Sequence, residues 1–431
     1  MRQDSPSGTP ISPSGPLNAT ARAPASKSLT IRALAAAALA RGRSLVREPL
    51  VAGDTLVMEK ALATLGATLS RHGADIQLEG TAGRILSPGA ALDLGDAGTP
   101  LRLLTAICCL GRGRFVLDGS PRMRQRPIGD LVEALGSLGA RARCVNEDGC
   151  PPVRIEADGL AGGRARLSGL VSSQYISALL MAAPCAAGDL RIEIEGDLVS
   201  RPYVDLTVQV MERFGARVEH DEHRWFLVRS DAPYRAAEIA IEGDASSASY
   251  LFAAAAITGG RVTVTGIPPD SRQGDLRLLD LLAAMGCRVE RSATGLTVEG
   301  AVLRGIEADL RDIPDVAPTL ASVALFAEGA TRITDVAHLR LKETDRIEGI
   351  AACVRALGGQ AEIGPDHLIV RPPSGGRSGL SGAAIDPRGD HRLAMAFAVT
   401  GLAVPGVRVL DPGCVSKSDP DFFQRLESLR A

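Results

Sequence analysis

The sequence has few aromatic residues, no excess of charge of one sign and no long apolar run. Aromatic side chains make up 3% of the 431 residues, while 45% of the residues are hydrophobic. The interior must therefore be built largely from Ala, Val, Leu and Ile, which suits helices packed closely against sheets. The formal net charge is −2, so no basic surface field is available to attract nucleic acid. With four Tyr and one Trp, the chain also offers few rings on which bases could stack.

Features of secreted and membrane proteins are missing as well. No apolar run reaches the roughly 18 residues that a membrane-spanning helix needs, and the polar start MRQDSPSGTPISPSGP lacks the apolar segment of a signal peptide. The eight cysteines include no Cys-x-x-Cys pair, so we interpret them as reduced thiols and not as a disulfide framework or a metal site. We expect a cytoplasmic protein that does not contact membranes or bind a metal.

What the chain does contain is a repeat with a period near seventy residues. One series of glycines follows Ala- and Leu-rich segments and precedes β-branched strands, with spacings of 69 to 77 residues: Gly42, Gly113, Gly188, Gly260, Gly329 and Gly406. A second series ends the next helix of each unit, with spacings of 71 to 76 residues: Gly66, Gly139, Gly215, Gly286 and Gly358. Glycine after the last apolar residue of a helix is the expected C-cap. The pattern predicts six repeated α/β units.

The sixth unit is incomplete, because the chain ends soon after the helical segment 420–429. The residues before about Pro24 are left over, and we expect them to return and complete the last unit. The prediction is therefore an α/β protein of two domains, each with three βαβαββ-type units. The first domain is residues 25–242, and the second is residues 243–431 together with 1–24. The crossovers near 23–25 and 240–243 are then the hinge.

Cations at the starts of helical segments are the most informative local feature. The stretch Lys342-Glu343-Thr344-Asp345-Arg346 opens a segment with helical apolar spacing, which predicts that Lys342 and Arg346 both lie in the first turn. Helix N-termini favour acids, and like charges four residues apart oppose helix formation by about a few tenths of a kcal/mol. Similar misfits occur at Lys27, Arg32, Arg126, Arg201 and Arg392. Repeated misfits of one kind indicate a functional site, here one that holds anions.

Further residues that could contact a ligand stand at or near helix starts. They are Ser26, Ser28, Gly98, Ser172, Ser173, Gln174, Ser200, Asp315, Glu343, His391 and Lys417. Each one alone has an ordinary interpretation as an N-cap, a tight turn, an ion-pair partner, a packing residue or a solvated lysine. Their conjunction changes the interpretation, because so many cations gathered at one place would need anionic partners. We hypothesise a cleft between the domains for two small multi-anionic ligands, closing by hinge motion.

The motifs that carry these residues reveal a resemblance. In chain order they are SKSLTIRA, GDAGTPLR, PRMRQRPIGDL, SSQYISALLM, SRPY, EGDASSASY, IPD, LKETDRI, DHRLAMAF and DPGCVSKS followed by PDFF. With these ten ordered motifs the chain resembles the 5-enolpyruvylshikimate-3-phosphate synthase family over essentially its full length. The resemblance implies two inside-out α/β domains of three repeats each, a ligand cleft between them, a monomer, and no metal or organic cofactor.

The resemblance also implies an activity. Enzymes of this family, the 3-phosphoshikimate 1-carboxyvinyltransferases, transfer the enolpyruvyl group of phosphoenolpyruvate to the 5-hydroxyl of shikimate 3-phosphate and release phosphate. The reaction passes through a tetrahedral intermediate with domain closure, in the shikimate pathway to chorismate and the aromatic amino acids. Two carboxylates in different environments can serve as base and acid, and cations can stabilise the departing phosphate.

By motif, the resemblance assigns residues to each substrate. Shikimate 3-phosphate would contact Lys27, Ser28, Arg32, Ser172, Ser173, Gln174, Ser200, Tyr203, Asp315, His338 and Lys342. Phosphoenolpyruvate would contact Lys27, Gly98, Arg126, Gln174, Arg346, Arg392 and Lys417. Asp315 would take the proton of the 5-hydroxyl, and Glu343 would protonate the methylene carbon. Lys27, Lys417 and His391 are further candidates for proton transfer.

Some residues depart from the family pattern. Asp96 stands where many relatives have Asn, Pro100 is unusual, and His338 occupies a position often held by Asn. A carboxylate at Asp96 should weaken the binding of a dianion unless that carboxylate is paired, for which Arg102 is a candidate. Gly98, where some insensitive relatives carry Ala, implies sensitivity to glyphosate, the herbicide that targets the family.

Two alternative interpretations account for some of the same residues. UDP-N-acetylglucosamine enolpyruvyl transferases share the fold and the donor, but their Lys-Asn pair corresponds to Lys27-Ser28 here. Their reactive loop cysteine has no counterpart in PRMRQRPIGDL. A catalytically inactive module that binds phosphate ligands would need the cations but not Asp315 and Glu343, so the presence of both carboxylates favours an enzyme.

Overall fold

The structure is a computed structural model that describes residues 8–430. These residues fall into two compact units, divided after Pro24 and after Ile241. We call Ala25–Ile241 the first unit, and the described residues before Ala25 and after Ile241 the second unit. Each unit mixes helices and strands, so the α/β class predicted from the sequence is confirmed.

Two strands precede the first unit along the chain and belong to the second, β1 (Thr9–Pro10) and β2 (Asn18–Arg22). The helices of the first unit are α1 (Lys27–Leu39), α2 (Gly53–Thr64), α3 (Gly98–Cys108), α4 (Gly129–Ser137), α5 (Ser173–Ala182) and α6 (Arg201–Arg213). Its strands are β3 (Arg43–Arg47), β4 (Thr68–His72), β5 (Asp75–Glu79), β6 (Leu92–Asp93), β7 (Arg112–Asp118), β8 (Arg141–Cys144), β9 (Val153–Asp158), β10 (Gly163–Ser168), β11 (Leu190–Glu195), β12 (Val218–Asp221), β13 (Trp225–Val228) and β14 (Glu238–Ala240).

The second unit continues with a similar alternation. Its helices are α7 (Ala245–Thr258), α8 (Arg277–Ala284), α9 (Ala317–Ala324), α10 (Arg346–Ala356), α11 (His391–Thr400) and α12 (Phe422–Ser428). Its remaining strands are β15 (Arg261–Thr265), β16 (Arg288–Ser292), β17 (Gly295–Glu299), β18 (Glu307–Asp309), β19 (Thr331–Thr334), β20 (Gln360–Ile363), β21 (Leu368–Arg371), β22 (Ala384–Ile385) and β23 (Arg408–Val409).

One pairing pattern recurs among the sheets. In the order β14-β3-β5-β4, the edge strand β14 is parallel to β3, and the hairpin of β5 and β4 is antiparallel on the other side. The same arrangement holds for β6-β7-β9-β8, β10-β11-β13-β12, β2-β15-β17-β16 and β18-β19-β21-β20. The last sheet, β22-β23-β1, has three strands within the described residues, with β22 parallel and β1 antiparallel to β23.

The N-terminal strands explain how the second unit is closed. β1 pairs with β23 through Thr9 and Val409, so the N-terminal residues do return to the last sheet. β2 instead lies parallel to β15 in another sheet of the same unit, a position that the sequence did not indicate. Gly260 allows this approach, because a Cβ there would lie 2.1 Å from the backbone nitrogen of Leu17.

The second glycine series has the predicted role. Each of its members directly follows the C-cap residue of α2, α4, α6, α8 or α10. Their φ angles lie between 86° and 114°, a left-handed region that glycine adopts without the cost of a side chain. The first series is not a set of caps, since Gly42 lies in the turn between α1 and β3 and Gly113 is the second residue of β7.

Each unit has a core of nearly fully buried helices. In the first unit these are α1, α3 and α5, which pack on one another. In the second unit they are α7, α9 and α11, which also pack together. The other helices expose one face to solvent. Small side chains such as the alanines of α1 let helices approach closely, so the low aromatic content follows from this packing.

We predict that enlarging an alanine in this core destabilises the protein. Ala36 of α1 is fully buried, so Ala36→Leu must displace neighbouring helices and should lower the free energy of unfolding by about 1–3 kcal/mol. Ala63 of α2 is exposed, so Ala63→Leu is the matched control and should change it by less than about 0.5 kcal/mol. Urea midpoints followed by circular dichroism would measure both. Equal shifts for the two variants would contradict the packing argument.

Candidate active site

The second unit contains a buried guanidinium that bridges carboxylates. Within the described chain, Arg346 donates from Nε to Asp390 Oδ2 at 2.8 Å, from Nη1 to Asp315 Oδ1 at 3.0 Å and from Nη2 to Glu343 Oε2 at 2.8 Å. Its side chain is 1% exposed, and a buried cation is costly unless it is paired. Burial acts to lower the pKa of Arg346, but the carboxylates, Asp390 foremost, outweigh burial and raise that pKa above its usual value.

Two further cations join this network. Arg392 donates from Nη2 to Asp315 Oδ2 at 2.6 Å, and Lys417 places Nζ 3.2 Å from Glu343 Oε1. Asp315 therefore lies between two arginines, and Glu343 lies between Arg346 and Lys417. We call the set Asp315, Glu343, Arg346, Asp390, Arg392 and Lys417 the ion network. It unites both carboxylates to which the resemblance assigns the roles of base and acid with three of the predicted phosphoenolpyruvate ligands.

Local structure explains why these side chains meet. Asp315 lies in the 3-10 turn Pro314–Val316 directly before α9. Asp390 is the N-cap of α11, and its Oδ1 accepts a hydrogen bond from the backbone nitrogen of Arg392 at 2.9 Å. Arg346 is the first residue of α10. Three helix starts thus contribute to one network, and each adds partial positive charge.

The predicted placement of Lys342 in the first turn of a helix is wrong. Lys342 is the residue that ends the 3-10 turn Ala337–Leu341, and α10 begins only at Arg346. Asp345 caps α10 by accepting from the backbone nitrogen of Glu348 at 3.2 Å, so this helix start does carry the acid that it favours. The unusual feature is instead that Arg346, at the first position of the helix, is a buried cation.

Two histidines of the predicted site are buried in the second unit. Burial first, then the charges of Lys342 and Arg346, lowers the pKa of His338 to about 3, so its ring is neutral at physiological pH. The Nε2 atom of His338 has no hydrogen-bond partner in the part of the chain that the structure describes. His391 opens α11 and is 1% exposed, which favours packing over direct contact with a ligand in this conformation.

In the first unit, the buried Arg32 has a different environment. Arg32 is 2% exposed, and it donates to Thr207 Oγ1 at 2.7 Å and to the backbone oxygens of Ser28 at 3.0 Å and Tyr203 at 3.1 Å. All its hydrogen-bond partners among residues 8–430 are neutral oxygens. Burial lowers the pKa of Arg32 to about 10. The protein holds this cation in place without neutralising it, which suits the binding of an anion.

Lys27 opens α1, as the motif predicts for a helix-start cation. Its Nζ lies 3.0 Å from Asp54 Oδ2, a partner near the start of α2 that the sequence analysis missed. Ser26 is the N-cap, since its hydroxyl accepts from the backbone nitrogen of Leu29 at 3.4 Å. The capping role therefore falls to Ser26 and leaves the Ser28 hydroxyl for other contacts.

Gly98 lies directly against the guanidinium of Arg126. A Cβ at Gly98 would lie 2.7 Å from Nη1 of Arg126, so any side chain would displace the guanidinium from the start of α3. The peptide that follows Pro127 is also fixed, because Arg102 and Tyr175 both donate to the backbone oxygen of Pro127, at 2.9 and 2.6 Å. These contacts place Arg126 at a helix N-terminus, a suitable environment for an anion.

The serine motifs occupy the starts of α5 and α6. Ser172 caps α5 by accepting from the backbone nitrogen of Gln174 at 3.3 Å, and Ser173 is the buried first residue of that helix. Ser200 precedes α6 with φ of 57°, a left-handed conformation that non-glycine residues seldom adopt. Its hydroxyl does not cap the helix, so this strained residue has a side chain available for another role. Asp96 accepts a hydrogen bond from Ser120.

Among residues 8–430, no group of His, Cys, Asp and Glu side chains has an arrangement that could hold a metal ion. All eight cysteines are free thiols. No helix in the described ranges is long and apolar enough to cross a membrane. The ion network of the second unit and the arginine-centred groups of the first unit are therefore the candidate sites.

Comparisons with known proteins place the chain among relatives. A family model described as EPSP synthase (3-phosphoshikimate 1-carboxyvinyltransferase) matches residues 11–426. A 3-phosphoshikimate 1-carboxyvinyltransferase of Methanoculleus marisnigri is 46% identical over 96% of this chain and 98% of its own length. One from a Marinomonas species is 42% identical over 96% of this chain and 98% of its own length.

Solved structures agree with these matches. The EPSP synthase of Acinetobacter baumannii has a TM-score of 0.80 and 25% identity, with 97% of each chain covered. An enolpyruvyl transferase of Streptomyces tendae has a TM-score of 0.75 at 20% identity, with 98% of each chain covered, and shows a shared fold. Because the family model and relatives at 46% and 42% identity span nearly the whole chain, this chain belongs to the EPSP synthase (3-phosphoshikimate 1-carboxyvinyltransferase) family.

Proposed function

We propose that this protein transfers the enolpyruvyl group of phosphoenolpyruvate to the 5-hydroxyl of shikimate 3-phosphate and releases phosphate. The observation that carries the proposal is the ion network, in which Asp315 and Glu343 each lie between two cations. A module that only bound phosphate ligands would need the cations without two carboxylates held among them. Family membership supports the choice of substrates.

Proton transfer is assigned to the two carboxylates of the network. In the first step, Asp315 would accept the proton of the 5-hydroxyl as that oxygen attacks C2 of phosphoenolpyruvate, while Glu343 would deliver a proton to the methylene carbon. Lys417, 3.2 Å from Glu343, is placed to assist. Phosphoenolpyruvate bound to Arg346, Arg392 and Lys417 would weaken the hold of these cations on both carboxylates and release them for proton transfer.

The second step is the loss of phosphate from the tetrahedral intermediate. A proton would leave the former methylene carbon, the carbon–oxygen bond to phosphate would break, and the cations would stabilise the charge on the departing group. Lys27, Gly98, Arg126 and Gln174 are proposed as further phosphoenolpyruvate contacts. No metal or organic cofactor takes part in this scheme.

Binding of shikimate 3-phosphate is assigned chiefly to the first unit. Arg32 offers a guanidinium that is not neutralised by its own contacts, and the hydroxyls at the starts of α5 and α6 can donate to phosphate oxygens. The remaining proposed contacts are Lys27, Ser28, Tyr203, Gln174, His338, Lys342 and Asp315. We further propose that the protein is a monomer and that it is cytoplasmic; the free state of the cysteines supports the location.

The proposal predicts phosphate release only when both substrates are present. Purified protein would be given shikimate 3-phosphate and phosphoenolpyruvate together, and each of them alone as controls. A parallel reaction would replace shikimate 3-phosphate by UDP-N-acetylglucosamine. Release with the UDP-sugar would point to the related enolpyruvyl transferases instead. Folded protein that released no phosphate in any mixture would show that the enzymatic interpretation is wrong.

Removing either carboxylate should stop turnover without abolishing binding. Asp315→Asn and Glu343→Gln keep the side-chain shape but cannot transfer the proton, so kcat should fall by about 10²–10⁴-fold, the usual contribution of acid–base catalysis. Affinity for shikimate 3-phosphate, measured by calorimetry, should stay within a few-fold of the parent. Glu348→Gln, at an exposed position of α10, is the matched control with unchanged rate. A kcat near the parent value in either network variant would contradict its assigned role.

Replacing Arg32 should weaken binding without costing stability. Arg32→Met removes a buried charge that has neutral partners, so the unfolding midpoint should stay the same or rise. The Kd for shikimate 3-phosphate should increase at least about tenfold, because a charge-assisted hydrogen bond contributes about 1.5–3 kcal/mol. Arg213→Met, exposed on α6, is the control. A lowered midpoint with an unchanged Kd would instead assign Arg32 a structural role.

A further inference from the structure

The second unit holds a buried carboxyl that the proposed reaction leaves unused. Asp275 lies in the 3-10 turn Gly274–Leu276 and is 4% exposed. This turn packs against the first part of α7, where Ser246 donates a hydrogen bond to Asp275 Oδ2. Burying a carboxyl group costs free energy, so the groups around Asp275 must compensate for part of that cost.

Those surroundings include the ion network. Asp275 is close enough to interact electrostatically with Asp315, from the turn before α9, and with Arg392, from α11. The element α7 contributes the Ser246 hydroxyl and, at its N-cap, the Asp244 carboxylate. The hydroxyl of Tyr250, also on α7, interacts with Arg392 as well. Arg392 therefore contacts the Asp315 carboxylate and also interacts with the Asp275 carboxyl.

Asp275 can change its charge near neutral pH. Burial first, and the Asp315 carboxylate second, raise the pKa of Asp275 to about 6. Arg392 and the hydrogen bond from Ser246 oppose this rise. The carboxyl is thus protonated in mildly acidic solution and ionised above about pH 6, within the range where the enzyme can be assayed.

We propose that Asp275 is a positioning residue that shares the positive charge of Arg392 with Asp315 and with the bound anion. The inference rests on the proposed function, since it concerns the same reaction. When Asp275 is ionised, it competes with Asp315 for the positive charge of Arg392. The negative charge of Asp315 is then less fully neutralised, so Asp315 is a stronger base. When Asp275 is protonated, Arg392 is left to Asp315 and to the phosphoenolpyruvate anion, so the anion binds more tightly and the base is weaker.

This sharing makes a specific kinetic prediction for Asp275→Asn. The amide keeps the shape of the carboxyl and can still accept from Ser246, but it carries no charge at any pH. At pH 7.5 the variant should show a kcat about tenfold lower, because the base is weaker, and a KM for phosphoenolpyruvate about fivefold lower, because Arg392 binds the anion more strongly. Profiles of kcat and KM from pH 5 to 8.5 should lose the change near pH 6 that the parent shows.

Two further variants sharpen the test. Asp280→Asn removes an exposed carboxylate on α8 that pairs with Arg291 at 2.9 Å, and it should keep the parent kinetics and pH profile. Ser246→Ala removes the hydrogen bond that favours the ionised form of Asp275, so the change near pH 6 should move to higher pH. If Asp275→Asn fails to fold, the shift of the pH transition in Ser246→Ala tests the charge-sharing role instead.

The outcomes separate this inference from the proposed function. If the parent protein releases no phosphate from the two substrates, the proposed function fails. If the parent is active but Asp275→Asn keeps the parental pH profile and KM for phosphoenolpyruvate, the charge-sharing role is wrong. A drop in kcat with no change in KM or in the pH profile would also overturn it, because that pattern indicates a structural role. Lower KM together with a lost pH transition would support it.

Discussion

The second unit depends on the burial of the positive charge of Arg346. A guanidinium taken out of water needs compensation at every polar atom, and here Asp315, Glu343 and Asp390 supply it. To bring these carboxylates together, the starts of α9, α10 and α11 must meet. The candidate chemistry of the unit is therefore a consequence of how this cation is stabilised. The carboxylates that compensate the buried charge of Arg346 are also the ones placed to transfer protons.

In the first unit, the buried Arg32 is stabilised in the opposite way. Arg32 is held by a hydroxyl and by backbone oxygens, so its position is fixed while its charge is left without compensation. A buried cation without a charged partner lowers the stability of the fold. It also attracts an anion, because a bound phosphate supplies the negative charge that the protein does not provide. The two units therefore differ in how their charges are paired. The reactive groups of the second unit neutralise one another, whereas the first unit offers a preformed site for an anion.

Local sequence rules predicted where many helices end. They did not predict which residues of distant elements would contact one another. Glycines at the C-caps follow from backbone geometry, so the spacing of Gly66, Gly139 and their counterparts indicated the helices correctly. The helix start at Lys342 was placed wrongly because a 3-10 turn and a cap at Asp345 both fit the same apolar spacing. Asp54, Asp275 and Asp390 were missed as partners, because each reaches its cation from an element distant in sequence. The parallel pairing of β2 with β15 is nonlocal for the same reason.

The scarcity of aromatic residues connects the fold to the site. Helices such as α1 and α7 are buried on all sides, and their alanines allow close packing that bulky rings would prevent. Close packing brings helix starts together, and with them the backbone N–H groups and partial positive charges that favour anions. Gly98 shows the same effect at a single residue, because the guanidinium of Arg126 occupies the space where a Cβ would otherwise lie. Small residues in this chain therefore do more than fill a core, because they determine how close the cations of the site can come to the helix starts.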